Sequence, residues 1–354
     1  MPHFLSAEDF SPRLVYALFR LAGELRARRE TPKLLSGRSV TLLFGEPSTR
    51  TRLSFSLAAL RLGAEILTLD ERLTSRAKGE TLADTLEVLA LLGVDVAVVR
   101  TSEDAIRPPA LAPSVVSAGS GTGEHPTQAL LDAWTLYEAF GRLEGLRLLV
   151  LGDVRHSRVF GSHARLLPRL GVHLTAAAPR AWLGREEDLE GVADRIALED
   201  VSLEDLLAAV DAVLVLRPQW ERHAHSVGAQ ALPTPASYLE RYGLTEERAR
   251  ALRPEARILH PGPVTWGVEI DPALRDDPRI LVRRQVENGL YVRMAVLVAA
   301  GGNFPSCETG LAAFARDSSS PGEGGYFGEA SPPRDDKSPF REGSARAFTS
   351  PLHR

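Results

Sequence analysis

The chain has 354 residues, of which 44% are hydrophobic and 25% are charged, an ordinary globular composition and a length typical of two domains. Its net charge of -4 does not favour nucleic-acid binding as the main task, so an anion site would need a local concentration of arginine. A single cysteine, Cys307, excludes an intrachain disulfide and a cysteine-based zinc site. No apolar run reaches membrane-spanning length and the N-terminus lacks a signal-peptide pattern, so we expect a cytoplasmic protein.

Strand-like and helix-like patterns alternate through the first 140 residues. A capping-box pattern at Ser6 to Asp9 precedes a predicted amphipathic helix through about Arg29. The predicted strands cover residues 39–44, 64–69, 94–99 and 115–118, and predicted helices follow from about residues 49, 82, 102 and 128. The helix predicted after residue 49 rests on a helical pattern of leucines, Leu53, Leu57, Leu60 and Leu62. This alternation predicts a parallel α/β sheet whose loops gather at the carboxyl ends of the strands.

A second alternating set begins at Leu146, after Gly141 and Gly145. Its predicted strands cover residues 148–151, 172–177, 212–216 and 257–259, and a last apolar helix is predicted over residues 285–300. The first of these strands runs into Gly152 without a G-x-G-x-x-G pattern, so a nicotinamide cofactor is not expected. From residue 302 to residue 354 the chain is rich in Ser, Pro, Gly and charge, and we expect this tail to be disordered.

The turn after the first strand combines features of a phosphate site. A helix N-terminus offers free N–H groups, and hydroxyl and guanidinium groups are good phosphate donors. An ordinary capped helix with solvated arginines is the alternative, but strand, turn, cap and two arginines coincide here, which favours the anion site. The residues concerned are Ser48, Thr49, Arg50, Thr51 and Arg52.

This string resembles the carbamoyl-phosphate signature of the aspartate/ornithine carbamoyltransferase family. The resemblance runs from about residue 1 to residue 300, and its segments follow predicted strands in the family's order. It implies two Rossmann-like domains with parallel sheets flanked by helices, residues 1–133 plus 286–301 and residues 134–285, with the active site in the interdomain cleft. The other matching segments are Lys78-Gly79-Glu80-Thr81, Arg100, His125-Pro126-Thr127-Gln128, Arg158, Arg217-x-Gln219-x-Glu221-Arg222 and His260-Pro261-x-Pro263.

The resemblance assigns a role to each polar position. Attack by an amine on carbamoyl phosphate builds negative charge on the carbonyl oxygen, and preorganised donors lower that barrier. The departing phosphate can accept the amine proton, so the resemblance implies no protein base, no metal and no cofactor. It assigns Ser48, Thr49, Arg50 and Thr51 to the phosphate, Thr51, Arg100 and His125 to the carbonyl oxygen, Gln128 to the amino group, and Gly262 and Pro263 to the same substrate. The implied catalytic set is Arg50, Thr51, Lys78, Arg100 and His125.

The second substrate is expected to be L-aspartate. The resemblance assigns Arg158, Arg217, Gln219 and Lys78 to it, and two guanidinium groups suit a substrate with two carboxylates. Glu46 can pair with Arg158 or Arg222 across the cleft, and in the family such bridges hold the closed state.

The loop around Lys78 carries an expectation about assembly. In the family this loop reaches the neighbouring subunit's site, which implies a homotrimer with shared active sites. The loop looks one residue short here, so either Ser75 or Thr74 can take the role of the family's serine. Family members occur as bare trimers, with regulatory chains or with dihydroorotase, and the sequence chooses none of these; no nucleic-acid or membrane partner is expected.

Three alternatives remain to be weighed. An ornithine-specific member typically has a cysteine in its His-x-x-Pro segment and an acidic residue for ornithine, whereas here the segment is His260-Pro261-Gly262-Pro263 and the cysteine lies in the tail. A non-catalytic relative is disfavoured because no matched polar position is missing. A nucleotide-binding α/β protein is disfavoured because glycine fingerprint and P-loop are both absent. We therefore expect carbamoyl transfer to L-aspartate, the committed step of pyrimidine (UMP) synthesis.

Overall fold

Two parallel β-sheets follow one another along the chain. The computed structural model describes residues 2–70, 79–184, 194–223 and 234–302. The first sheet has the strand order β2-β1-β3-β4, and the second has the order β7-β6-β5-β8-β9, with every pairing parallel. The strands are β1 Ser39–Phe44, β2 Glu65–Asp70, β3 Val96–Thr101, β4 Ser114–Ser120, β5 Arg147–Leu151, β6 His173–Ala178, β7 Asp194–Ala197, β8 Ala212–Val215 and β9 Arg257–Leu259.

Helices connect most of these strands and flank both sheets, which confirms the predicted pair of α/β domains. They are α1 Pro12–Ala27, α2 Thr49–Arg61, α3 Leu82–Leu91, α4 Pro126–Phe140, α5 Arg158–Leu166, α6 Leu203–Ala209, α7 Trp220–His223, α8 Pro235–Tyr242, α9 Glu246–Ala249 and α10 Val282–Ala300. Among the residues that the structure describes, no helix is both long and apolar enough to cross a membrane.

The register of the first sheet places two polar segments side by side. Phe44, the last residue of β1, pairs with Arg100 near the end of β3. The backbone N–H of Gly45 donates to the Arg100 carbonyl at 2.8 Å, so the turn after β1 is tied to the end of β3. Because parallel strands end at the same edge, the α2 N-terminus and the Arg100 side chain emerge together.

The last helix, α10, returns to the first sheet after the whole second sheet has been formed. It packs against α1, α2 and α4. From Val292 to Ala300 every one of its residues is buried, as expected for a helix enclosed on all sides. The helix therefore brings the polar residues of its N-terminal half to the carboxyl edge of the first sheet.

The leucines near α2 do not mark its buried face. Leu53, Leu57 and Leu60 are 63%, 39% and 60% exposed, and of the four leucines only Leu62, directly after the helix, is buried. The buried side chains of the helix itself are Thr51, Phe55, Ala58 and Ala59. The helix packs against β1, β2 and α10, so its inner face combines one aromatic ring with small residues.

Two further local predictions need correction. The helix predicted from about residue 102 is not formed, and residues 102–105 are bends instead. Asp104 Oδ1 in this segment accepts hydrogen bonds from the backbone N–H and the hydroxyl of Thr122, both at 2.8 Å, which ties the segment to the loop after β4. The Ser6 capping box is present, but it caps the short 3-10 turn Ala7–Asp9, and α1 begins separately after the cap Ser11. Of the tail expected to be disordered, residues 302–354, all but residue 302 lie outside the described residues, as does Lys78 with the rest of residues 71–78.

Candidate active site

A cleft of about 1150 Å³ opens between the carboxyl edges of the two sheets. Segments following β1, β3, β4, β5, β8 and β9 contribute to its walls, as expected for a ligand site in open α/β sheets. Two of the residues predicted from the sequence for the site do not line this cleft: Lys78 lies outside the described residues, and Arg52 places its guanidinium over the Phe44 ring. The others all line it: Ser48, Thr49, Arg50, Thr51, Arg100, His125, Gln128, Arg158, Arg217, Gln219, Gly262 and Pro263.

The N-terminus of α2 forms one wall of the cleft. Ser48 is the N-cap residue, yet its side chain makes no capping hydrogen bond, and no acidic side chain occupies the first turn. The first-turn N–H groups and the hydroxyl groups of Ser48 and Thr49 are therefore suited to an anion in the cleft. Helix dipole and Arg50 give this wall a positive potential.

The Arg50 guanidinium reaches the opposite side of the cleft and lies against Gly262. A Cβ atom built on Gly262 would lie 3.0 Å from Arg50 Cζ, and the φ angle of Gly262 is +69°. Both the space and the backbone conformation favour glycine here. Gly262, which follows β9 of the second sheet, therefore lies next to the Arg50 side chain of the anion wall.

Three donor side chains converge beside that wall, and all three are buried: Thr51, Arg100 and His125. Thr51 Oγ1 lies 3.5 Å from His125 Nε2, and Arg100 Nη1 donates to the Ala118 carbonyl at 3.2 Å. The His125 backbone N–H donates to Ser162 Oγ at 2.9 Å, which ties the histidine to α5. Such a group can stabilise negative charge developing on a carbonyl oxygen.

The charges in this group follow from its surroundings. Burial, and next the positive charges of Arg100 and Arg293, hold the pKa of His125 well below its usual value, so the imidazole is neutral at neutral pH. Burial, followed by the neighbouring Arg158, lowers the pKa of Arg100 to about 10, against a raising effect from Glu46. Arg100 therefore stays cationic at neutral pH while His125 acts as a neutral hydrogen-bonding group.

Glu46 joins the two sheets by an ion pair. Arg158 Nη1, at the start of α5, donates to Glu46 Oε2 at 2.7 Å, and Arg100 Nε lies 3.4 Å from the same oxygen. The expected pairing of Glu46 with Arg158 is thus confirmed. Arg222 also reaches across, since its Nη2 donates to the Gly121 carbonyl at 3.2 Å.

The remaining polar residues of the second sheet surround the loop after β5. The Gln219 side chain donates to the His156 carbonyl at 2.7 Å, and its backbone N–H donates to Asp153 Oδ2 at 3.0 Å. Arg217 Nη1 donates to the Pro218 carbonyl at 3.1 Å. Together with Arg158 these side chains give the second wall of the cleft two guanidinium groups and an amide.

Sequence reasoning missed Arg293, which also lines the cleft. It is 4% exposed on α10, and its Nη1 donates to Ser54 Oγ at 2.8 Å while the guanidinium lies over the Phe55 ring. Burial lowers the pKa of Arg293 to about 10, opposed by the negative charge of Asp132. Its signal in the sequence is a single charge within the apolar stretch of residues 289–300, whose pattern by itself predicts only an apolar helix.

No group of three His, Cys, Asp or Glu side chains within the described ranges could hold a metal ion. The cleft instead has an anion wall, a buried set of carbonyl donors and a second cationic wall held by a cross-cleft ion pair. A two-domain α/β fold with this cleft is suited to hold a phosphorylated ligand on one wall and an anionic ligand on the other, as transfer of a group between two bound substrates requires.

Comparison with known proteins narrows this class to one family. Residues 2–138 match the model of the aspartate/ornithine carbamoyltransferase carbamoyl-P binding domain, and residues 144–300 match that of the Asp/Orn binding domain. The chain therefore belongs to the aspartate/ornithine carbamoyltransferase family.

The match to individual relatives covers almost the whole length of each relative. The aspartate carbamoyltransferase catalytic subunit of Thermus aquaticus is 41% identical over 84% of this chain and 97% of the relative, and that of Streptococcus suis (strain 98HAH33) is 38% identical over 84% and 95%. Aspartate transcarbamoylase from Trypanosoma cruzi in complex with aspartate and phosphate has a TM-score of 0.75 at 30% identity, covering 84% of this chain and 96% of that one. Its complex with carbamoyl phosphate has a TM-score of 0.74, again at 30% identity with 84% and 96% coverage.

Proposed function

We propose that this protein transfers the carbamoyl group of carbamoyl phosphate to the amino group of L-aspartate, giving N-carbamoyl-L-aspartate and phosphate in de novo pyrimidine biosynthesis. The observation that carries the proposal is the convergence of Thr51, Arg100 and His125 beside the α2 N-terminus, with Arg158 facing them. The names of the curated relatives and the ligands of the Trypanosoma cruzi structures support the same reaction.

In this proposal the phosphate of carbamoyl phosphate binds at the anion wall, which the N-terminus of α2 forms. The first-turn N–H groups, the Ser48 and Thr49 hydroxyls and Arg50 supply donors to its oxygens. The carbonyl oxygen then points toward Thr51, Arg100 and His125. Neutral His125 donates a hydrogen bond without repelling Arg100, and cationic Arg100 stabilises the negative charge of the tetrahedral intermediate.

The acceptor approaches from the second sheet. Its two carboxylates pair with Arg158 and Arg217, and Gln219 adds an amide contact. The amine nitrogen forms a bond to the carbonyl carbon, the bond from that carbon to the phosphate oxygen breaks, and the departing phosphate takes the proton from nitrogen. This balance requires no protein base.

Acceptor choice is the decisive experiment. The chain would be assayed with carbamoyl phosphate and either L-aspartate or L-ornithine, with detection of the ureido product. We expect turnover with aspartate, because the acceptor wall carries Arg158 and Arg217, which attract carboxylates and repel a cationic ornithine head. Turnover with ornithine alone would overturn the proposed specificity.

We further propose that the active unit is a homotrimer in which Lys78 enters the neighbouring site. Two features support a covered surface: the exposed leucines Leu53, Leu57 and Leu60 on α2, and the edge position of β2, which ends eight residues before Lys78 in the sequence. Mixing inactive Lys78→Ala and Arg50→Ala chains should restore part of the activity, since some sites then receive both native residues. Verified hybrid trimers without activity would contradict site sharing.

The proposed division of the chain into residues 1–133 plus 286–301 and residues 134–285 rests on packing. Helix α10 packs on α1, α2 and α4, which favours assigning it to the first sheet. Both boundaries fall within helices, α4 and α10, so each of these helices connects the two parts. Limited proteolysis that cuts between residues 141 and 145, with both fragments staying associated, would be the expected result.

A further inference from the structure

Asp132 is a buried carboxylate at the meeting point of three helices. It lies on α4, is 1% exposed, and contacts side chains from α4, α5 and α10. Gln128 Nε2 and Gln285 Nε2 donate to its Oδ1 at 3.0 and 2.6 Å, and His163 Nε2 lies 3.0 Å from its Oδ2. A buried carboxylate is stable only with such partners, so this arrangement is strongly constrained.

The carboxylate fixes which way the Gln128 amide points. A carboxylate can only accept hydrogen bonds, so the amide must turn its NH₂ group toward Asp132. The carbonyl oxygen of Gln128 is thereby turned away from Asp132. Since Gln128 lines the cleft, the end that is left for a ligand is an acceptor, which suits a ligand N–H group.

The same argument applies to Gln285 and extends across the cleft. Its Nε2 donates to Asp132, so its Oε1 is left to accept the backbone N–H of His260 at 3.0 Å. His260 Nδ1 in turn accepts the backbone N–H of Gly262 at 2.8 Å. One carboxylate thus determines the orientation of Gln128 on the first sheet and, through Gln285, the position of residues 260–263 on the second.

We propose that Asp132 is a positioning residue for the amino end of the carbamoyl group. It orients the Gln128 amide directly, and it anchors residues 260–263 through Gln285. The proposal rests on the proposed function and adds to it a residue that never touches the substrate. Its consequence is selectivity: Asp132 lets the site distinguish a donor that bears an NH₂ group from one that bears a methyl group of the same size.

Two stable phosphonates separate this role from phosphate binding. Phosphonoacetamide carries the NH₂ group and phosphonoacetone carries a methyl group in its place, and calorimetry on the full chain gives the dissociation constant of each. We expect wild type to bind the amide more tightly. In Asp132→Leu this preference should fall by about tenfold, the value of one well-placed hydrogen bond, with phosphonoacetone binding nearly unchanged.

The conservative variant distinguishes orientation from charge. In Asp132→Asn the side-chain oxygen can still accept both glutamine amides while the new NH₂ group faces His163, so the preference should be retained. If Asp132 served only to neutralise Arg293, its loss would change the dissociation constants of both phosphonates equally. The Asn and Leu variants would then behave alike. Thr135→Val, one turn further along α4 and without contact to Gln128, is the matched control and should leave the preference intact.

Gln285→Leu provides an independent route should Asp132→Leu not fold. This substitution keeps the hydrogen bond from Gln128 to Asp132 but removes the side-chain oxygen that accepts the His260 N–H and so anchors residues 260–263. The preference for the amide ligand should therefore fall about threefold. An undiminished preference in the folded Leu variants would overturn the positioning role while leaving the reaction intact. A wild-type chain that binds neither phosphonate would instead refute the proposed function itself.

Discussion

Glu46→Gln tests the cross-cleft ion pair most directly. The substitution preserves the shape of the side chain but removes the negative charge that lies 2.7 Å from Arg158 Nη1 and 3.4 Å from Arg100 Nε. The side chains of Glu46, Arg100 and Arg158 are 23%, 10% and 14% exposed, so solvent screens them only partly. Without Glu46 the two guanidinium groups, which already repel one another, would separate.

The size of the effect follows from the geometry. Unit charges about 3 Å apart at an effective dielectric constant of about 20 attract by about 5 kcal/mol. Desolvation of the carboxylate and the hydrogen bond kept by glutamine offset part of this, and we expect a net loss of about 2 kcal/mol. Because Arg158 is assigned to aspartate, kcat/KM for aspartate should fall about 30-fold.

Steady-state kinetics at saturating carbamoyl phosphate measure this change, and calorimetry with inorganic phosphate supplies the comparison. Removing a negative charge beside an anion wall should not weaken phosphate binding. Glu246→Gln is the matched control, since its ion pair with Arg250 is solvent-exposed on α9 and distant from the cleft. An unchanged kcat/KM for aspartate, or a parallel loss of phosphate affinity, would refute the reasoning.

Three further predictions concern Arg50, Gly262 and His125. Arg50→Ala should lower turnover by about two orders of magnitude or more without unfolding the chain, whereas Arg52→Ala, whose guanidinium lies over the Phe44 ring, should retain most activity in the same assay. Gly262→Ala should reduce both stability and kcat, since its Cβ would meet Arg50 at 3.0 Å with φ at +69°; a melting temperature equal to that of wild type would contradict this account. The depressed pKa of His125 means that below about pH 6.5 the unfolded chain binds a proton which the folded chain does not, so stability should fall as pH drops through that range. Urea unfolding at pH 5 to 8 measures the free energy of unfolding, and the part of its fall with pH that is due to His125 should be present in wild type and absent in His125→Asn.

The sequence predicted the cleft better than it predicted the packing around it. Polar residues at successive strand ends, such as Arg100 and His125, were predictable because parallel strands bring their carboxyl ends to one edge. Of the residues predicted for the site, those within the described ranges line a single cleft, except Arg52, which lies over the Phe44 ring. The specific roles of these residues stay predictions, and Lys78 lies outside the described residues.

Features determined by tertiary contacts were not predictable. The leucine pattern predicts the helix α2 but not its buried face, since Leu53, Leu57 and Leu60 are exposed and the buried side carries Phe55 and Ala58. Arg293 and Asp132 were missed because each lies within an apolar helix, where hydrophobic periodicity indicates core. The signal that remained in the sequence was the cost of burying an unpaired charge, which implies a partner without identifying it.

The late position of α10 has a consequence for synthesis of the chain on the ribosome. Helices α1, α2 and α4 are complete by residue 140, yet the helix that covers them ends at residue 300. At ~5–20 residues per second, the intervening stretch of about 160 residues takes roughly 10–30 s to translate. For that time the nascent first sheet lacks its cover, and the apolar surface meant for α10 is available to chaperones or to neighbouring nascent chains.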